Sequence, residues 1–193
     1  MELNRSPMPR SQGNAGPPQV SLTPTGGGLG VARPWGRSEG TTPMIAAILD
    51  TNVVLDWLVF EDPAGRALGA QVESGRLRWL ICPRIQEELA DVLGRLERMP
   101  HLRRWAHRSA AAWEAAQRWG CPVDDPPSLP PALPLRSSDP DDQVFIDLAV
   151  GQQAGWLFSR DRAILRLARR LRPLGVQALS PAAWLAGQAI PAR

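Results

Sequence analysis

The sequence contains no lysine: all 22 basic residues are arginine. That excludes every mechanism that turns on a lysine amine. Only two cysteines occur, Cys82 and Cys121. They form no ligand-spaced pair, so a disulfide framework is not expected and both read as core or near-core thiols. The two histidines, His101 and His107, fall in a middle helical stretch away from every strand end, where surface or packing roles are expected. No uninterrupted stretch of about 18 apolar residues occurs, which excludes a membrane span. The N-terminus lacks the apolar segment and cleavage pattern of a secretory signal, which makes the cytoplasm the expected compartment. A formal charge of +3 argues only weakly for a nucleic-acid partner.

What is present divides into an unusual beginning and an ordinary globular remainder. Residues 1–43 hold eight Gly and seven Pro, with the run Gly26-Gly27-Gly28, and such composition cannot recover the entropy of ordering. Two readings of this disordered extension stand: a tail with a basic arm around Arg33 and Arg37, or a start placed too far upstream of Met44. Residues 44–187 form the expected domain, with 188–193 as a tail, and the 44% hydrophobic content suffices for a core.

Within the domain, Ile45 to Leu49 is a continuous apolar run ending in Asp50, the pattern of a buried parallel strand with an acid at its carboxyl end. Val53 to Val59 begins a helix. Asp62-Pro63 starts another, with Asp at the cap and Pro in the first turn, continuing to Glu73. Leu77 to Cys82 is a second strand, and Pro83 opens a helix to about Leu96 with Ile85, Leu89, Val92, Leu93 and Leu96 on one side. A helical stretch is expected from Pro100 to Trp119. Residues 122–134, with six prolines, read as an extended connection. Ser138 or Asp139 caps a helix to Gln153, Trp156 to Phe158 is a third strand, and Asp161 to Leu171 is helical. Val176 to Leu179 is a candidate last strand before a final helical turn at Ser180-Pro181. The order predicts an α/β sandwich around a short, mainly parallel sheet.

Four acids occupy special places in this layout. Asp50 ends the first strand, Glu88 lies one to two turns into the helix after the second, Asp142 lies in the first turn after the Pro-rich connection, and Asp161 follows the third strand. Ligand sites in open parallel sheets form at the carboxyl ends of strands, where such acids can converge. Converging carboxylates raise one another's pKa unless a positive charge sits among them, and a hard divalent cation answers that need. Each acid also has a plain explanation. Asp50 and Asp161 could be helix caps, Glu88 a solvent-facing acid in competition with Glu87, and Asp139, Asp141 and Asp142 first-turn charge favoured by the helix dipole.

The segment Ile48-Leu49-Asp50-Thr51-Asn52-Val53-Val54 resembles the opening motif of the PIN-domain nucleases. Ile85-Gln86-Glu87-Glu88-Leu89 is similar to their second acidic motif. The run from Asp139 to Ala149 resembles the third motif of a bacterial branch named as toxins of toxin–antitoxin systems, and Trp156-Leu157-Phe158-Ser159-Arg160-Asp161 resembles the fourth. The match runs from about Met44 to Trp184. The resemblance implies a three-layer α/β/α sandwich and Mg²⁺- or Mn²⁺-dependent cleavage of RNA. It further implies Asp50, Glu88, Asp142 and Asp161 as metal-binding catalytic acids, Asn52 as a hydrogen-bond support for Asp50 or a metal-bound water, and Ser159 as a support for the fourth acid. Some relatives carry a further acid where this chain has Gln143, so Asp139 or Asp141 would contribute outer contacts instead. A small antitoxin protein is a candidate partner and a homodimer is expected, but the antitoxin, the target RNA and toxicity do not follow from the match.

RNA needs positive charge near the acids. Arg160, Arg162, Arg166, Arg169, Arg170 and Arg172 cluster beyond the third strand, and Arg84 and Arg136 flank the second and third motifs. Guanidinium groups suit phosphate recognition, although a solvated helix face in an arginine-rich protein explains the cluster too. Among the eight tryptophans, Trp79, Trp105, Trp113 and Trp156 read as core or dimer-interface residues, and Trp57 is the candidate for substrate contact. Other classes fail. A haloacid-dehalogenase-like phosphotransferase wants a second Asp where Asn52 stands and needs a lysine, as does a receiver-type phosphoacceptor. A dinucleotide-binding domain wants a Gly-rich turn where Asp50-Thr51-Asn52 lies. The rivals that survive are a catalytically silent scaffold binding RNA or protein and a DNA structure-specific nuclease.

Overall fold

The computed structural model describes residues 44–188. The extension 1–43 and the tail from residue 189 lie outside the described residues. An apolar run of five residues makes β1 (Ile45–Leu49), and a five-residue run apolar but for Arg78 makes β2 (Leu77–Ile81). They pair in parallel, with β1 also parallel to β4 (Trp156–Phe158), which in turn pairs with β5 (Gln177–Leu179). A two-residue strand β3 (Cys121–Pro122) joins β2 in register Leu80 to Cys121, and the sheet order is β3-β2-β1-β4-β5. Ala47, Ile48, Leu49, Trp79, Leu157 and Phe158 are fully buried, as strands covered on both faces require. The chain steps outward from β1 to β3 and returns on the other side of β1. At such a reversal the connections leave in opposite directions and open a crevice at the carboxyl ends.

Helices flank the sheet. Helix α1 (Thr51–Leu58) forms despite two adjacent valines, because Val53, Val54, Leu55 and Trp57 are buried and packing outweighs modest propensity. Helix α2 (Pro63–Glu73) starts at Asp62, whose carboxylate accepts the amides of Ala64 and Gly65 at 2.9 and 3.0 Å. Helix α3 (Pro83–Arg98) buries Ile85, Leu89, Leu93 and Leu96 as its spacing predicts, with Val92 half-buried. Helix α5 (Gln143–Gly151) packs on β1 and β4 and is buried from Val144 to Ala149.

The departures from the sequence reading are local. The stretch 100–119 is not one helix: a 3-10 segment, Arg103–Arg108, precedes α4 (Ser109–Trp119). Arg108 pins the junction, donating to the Val59 carbonyl at 2.9 Å and pairing with Glu61 at 2.8 Å. Pro122 belongs to a strand, tolerated because β3 is an edge. Helix α5 begins at Gln143, since Asp139 first forms a turn by accepting the Asp141 amide at 3.0 Å. The expected helix 161–171 splits into α6 (Arg162–Leu165) and α7 (Ala168–Leu171), and the i→i−3 bonds of Leu167 and Arg170 mark the tightened turn between them. Helix α8 (Pro181–Gln188) closes the described chain.

Cys82 is buried and Cys121 half-buried, both free thiols, and both histidines are exposed. Trp57 is not a substrate-facing ring. It is buried to 6% exposure and sits edge-on to Trp79, centroids 5.9 Å apart. A Cβ on Gly69 would fall 2.0 Å from its indole nitrogen, so glycine there makes room for the ring. No helix among the described residues is long and apolar enough to cross a membrane.

Candidate functional site

Asp50 leaves β1 and caps α1, its carboxylate lying near the Asn52 amide at 3.4 Å and accepting the Asn52 side-chain Nδ2 at 2.6 Å. Just past β4, Ser159 donates its hydroxyl to Asp50 Oδ2 at 2.5 Å, and Ser159 Oγ accepts the Asp161 amide at 2.8 Å. Ser159 is fully buried and thus joins the first and fourth acids rather than supporting the fourth alone. Asp161 caps α6 through the Ala163 amide at 2.5 Å. The capping roles of Asp50 and Asp161 are therefore real, and they fix both carboxylates at the crevice. Burial raises the Asp50 carboxyl above its ordinary value; the bonds from Ser159 and Asn52 oppose this, and the Asp161 charge adds to it.

Asp142 stands at the N-cap position of α5, yet its carboxylate makes no cap bond. One of its oxygens is buried without a partner. Partial burial first, then the charges of Asp50, Asp161, Asp139 and Glu88, push its carboxyl up to about 7. Glu88, half-buried in the second turn of α3, is raised by burial and by the charges of Asp50 and Asp141. Glu87 is exposed, which favours Glu88 in the competition between them. The Thr51 hydroxyl is near enough to Glu88 to favour its ionised form, but makes no hydrogen bond of ordinary geometry. Asp50, Glu88, Asp142 and Asp161 thus lie at one edge and act on one another electrostatically. Among the described residues, however, no group of three or more His, Cys, Asp or Glu side chains is placed to hold a metal ion.

A model of the PIN domain matches residues 46–163, more than half of the chain. The chain belongs to the PIN-domain family. Its fold is similar to a chain of VapBC2 from Rickettsia felis, solved bound to a DNA fragment from their promoter, with a TM-score of 0.50 and 10% identity over 70% of this chain and 98% of that one. No curated protein matches the sequence.

Beside Asp161 of this PIN domain, an open cleft of about 530 Å³ is lined also by Ser138, Asp139, Arg162 and Arg166; Asp50, Glu88 and Asp142 are not among its lining residues. Arg84 and Arg136 are exposed, the latter donating to the Leu129 carbonyl at 3.3 Å. Arg160 is differently placed: its Nη1 reaches both oxygens of Asp56 at 2.7 and 2.6 Å, and its backbone amide donates to Asn52 Oδ1 at 3.3 Å. Asp141 is exposed and takes part in the Asp139 turn.

Sequence reasoning missed two buried acids, Asp56 and Asp147, both 4% exposed. Asp147 accepts Gln143 Nε2 at 2.7 Å, while that amide also donates to the Leu135 carbonyl at 3.0 Å and its Oε1 accepts the Ser137 amide at 2.9 Å. Gln143 therefore ties the Pro-rich connection to α5. The available signal was a lone acid inside an apolar helical run, in Val54-Leu55-Asp56-Trp57 and in Phe145-Ile146-Asp147-Leu148. Such an acid is seldom buried without a dedicated partner.

Proposed function

We propose that this PIN domain is a metal-dependent endoribonuclease, hydrolysing RNA phosphodiesters at the edge formed by Asp50, Glu88, Asp142 and Asp161 with Mg²⁺ or Mn²⁺. The observation that carries the reading is the uncompensated charge there: Asp142 is pushed up to about 7 and keeps a buried oxygen without a partner. An all-carboxylate donor set fits a hard divalent ion. Mg²⁺ keeps several waters and is held by one or two carboxylates together with substrate phosphates, so a three-residue cage is not a precondition. The four acids would share in holding one or two such ions, directly or through bound waters, and the metal would supply polarisation of the phosphoryl group and a more acidic bound water. Asn52 and Ser159 keep Asp50 aimed as an acceptor. Arg162 and Arg166, which line the cleft with Asp161, would pair with the phosphates that lead into the site, and Arg84 and Arg136 would extend that contact. A toxin role with a small antitoxin partner, and a homodimer, extend the same proposal; the motif resemblance alone does not supply them.

The second reading is a catalytically silent PIN scaffold that binds RNA or protein, and one observation favours it: no three-acid group stands ready for a metal among the described residues. Purified full-length chain incubated with a mixed RNA pool, followed by end mapping, separates the two. Cleavage with Mg²⁺ or Mn²⁺ that stops on chelation supports the nuclease. RNA binding without cleavage by either metal gives the scaffold, and cleavage of DNA flaps or hairpins but not RNA gives the DNA structure-specific nuclease.

A further inference from the structure

We infer that the Asp56–Arg160 pair is a latch holding the Ser159–Asp161 turn against α1, so that Arg160 is a positioning residue for the site and not an RNA ligand. Asp56 is the single acid in the apolar face of α1, and its side chain is 5% exposed against 59% for Arg160. A buried carboxylate is tolerated when paired and heavily penalised when its partner leaves. Arg160 is the only side-chain donor to Asp56 among the described residues. An Arg160 that turned to a phosphate would strand that charge.

The ion pair is one of three ties from the same turn to the same helix entrance. Ser159 holds Asp50, the Arg160 amide holds Asn52, and the Arg160 guanidinium holds Asp56. Together they fix the separation of Asp50 and Asp161, the acids that follow β1 and β4. Arg162 and Arg166 contrast with this. They line the open cleft, are exposed, and form no ion pair among the described residues. The sequence groups these arginines together; the fold separates one structural guanidinium from those free to meet phosphate.

The effect on turnover rests on the nuclease reading, whereas the latch can be read without it. The test compares Arg160→Gln with Arg162→Gln in the full chain by amide hydrogen exchange, by the salt dependence of binding to single-stranded RNA, and by kcat and KM. For Arg160→Gln, the Arg160 and Asp161 amides should lose protection by tenfold or more. The salt slope should stay unchanged, and kcat should fall roughly 10–100-fold, the usual penalty for losing a support behind a site, at nearly constant KM. For Arg162→Gln, exchange should be unaffected, the salt slope should shrink by about 0.7, one phosphate contact on a single strand, and KM should rise. Asp56→Asn should reproduce the exchange pattern of Arg160→Gln with every arginine intact, and Arg160→Lys should restore much of the protection. A flattened salt slope with the two amides still protected in Arg160→Gln would overturn the latch, as would no change in either. If the wild type never cleaves, the nuclease reading falls, while exchange still decides the latch.

Discussion

The two sides of the acid site are built on opposite terms. On the β1–β4 side both acids are answered: Asp50 takes bonds from Ser159 and Asn52, and Asp161 is bonded at both its amide and its carboxylate. On the α3–α5 side the acids are left uncompensated, with Asp142 lacking a cap bond, one of its oxygens lacking any partner, and Glu88 facing like charges. The first side has its hydrogen bonds supplied by the fold itself, although burial and the Asp161 charge still raise the Asp50 carboxyl. The second stores electrostatic cost that a bound cation, or a proton, would relieve. A site half preorganised and half under charge repulsion suits the proposed metal, since a fully satisfied one would have nothing to gain from an ion.

The largest effect should come from the satisfied side. Asp50→Asn keeps nearly the same shape and can still accept the Ser159 hydroxyl, so circular dichroism and melting should change little. Its loss of charge removes the central acid, and RNA cleavage should drop by more than the roughly 10–100-fold typical of an outer-shell loss. An unchanged rate in this variant would break the assignment of Asp50 and with it the distinction between the two sides.

A smaller but double effect belongs to Ser159→Ala. The hydroxyl bridges Asp50 and Asp161 from a fully buried position. Removing it takes one of two bonds from the buried Asp50 Oδ2, which keeps Asn52 Nδ2, and leaves the Asp161 amide without its partner, which costs about 1–3 kcal/mol, readable as a lower denaturant midpoint. Cleavage should fall about 10–100-fold. A wild-type midpoint would mean that water replaces the bridge and that this side is less preorganised than its bonds suggest.

How much of this was legible in the sequence follows from how each feature is encoded. Continuous apolar runs ending in an acid carry β1 and Asp50 plainly, and the spacing of Ile85, Leu89, Leu93 and Leu96 carries α3. The resemblance to four motifs in order carried the family. The edge strand β3 was illegible because two residues have no period and Pro122 argues against a strand. The break at Leu167 was illegible because Ile164 and Leu171, both buried, sit at spacings that one continuous helix would also satisfy. Arg160 was placed with the phosphate-facing arginines because charge alone cannot reveal a partner 104 positions away. Trp57 adjoins the first motif in sequence, and only the fold turns it toward Trp79.

The uncompensated side has a signature of its own in pH. The Asp142 carboxyl lies at about 7 when folded, against an ordinary value of 3.8. Between those values the folded chain holds a proton that the unfolded chain has lost, so stability falls as pH rises through this window, and the cost is fully present above about pH 7. The whole shift would correspond to roughly 4 kcal/mol, which screening at a half-exposed carboxyl reduces to on the order of 1 kcal/mol. Asp142→Asn removes the charge, so at pH 8 it should melt about 2–4 °C above wild type, and at pH 4 the two should nearly coincide. Mg²⁺ at pH 8 should narrow the gap by raising the wild type more than the variant, because the ion relieves the repulsion that the substitution has already removed. Equal gaps at pH 4 and pH 8 would mean that Asp142 is not held against its neighbours' charge, and the contrast between the two sides would disappear.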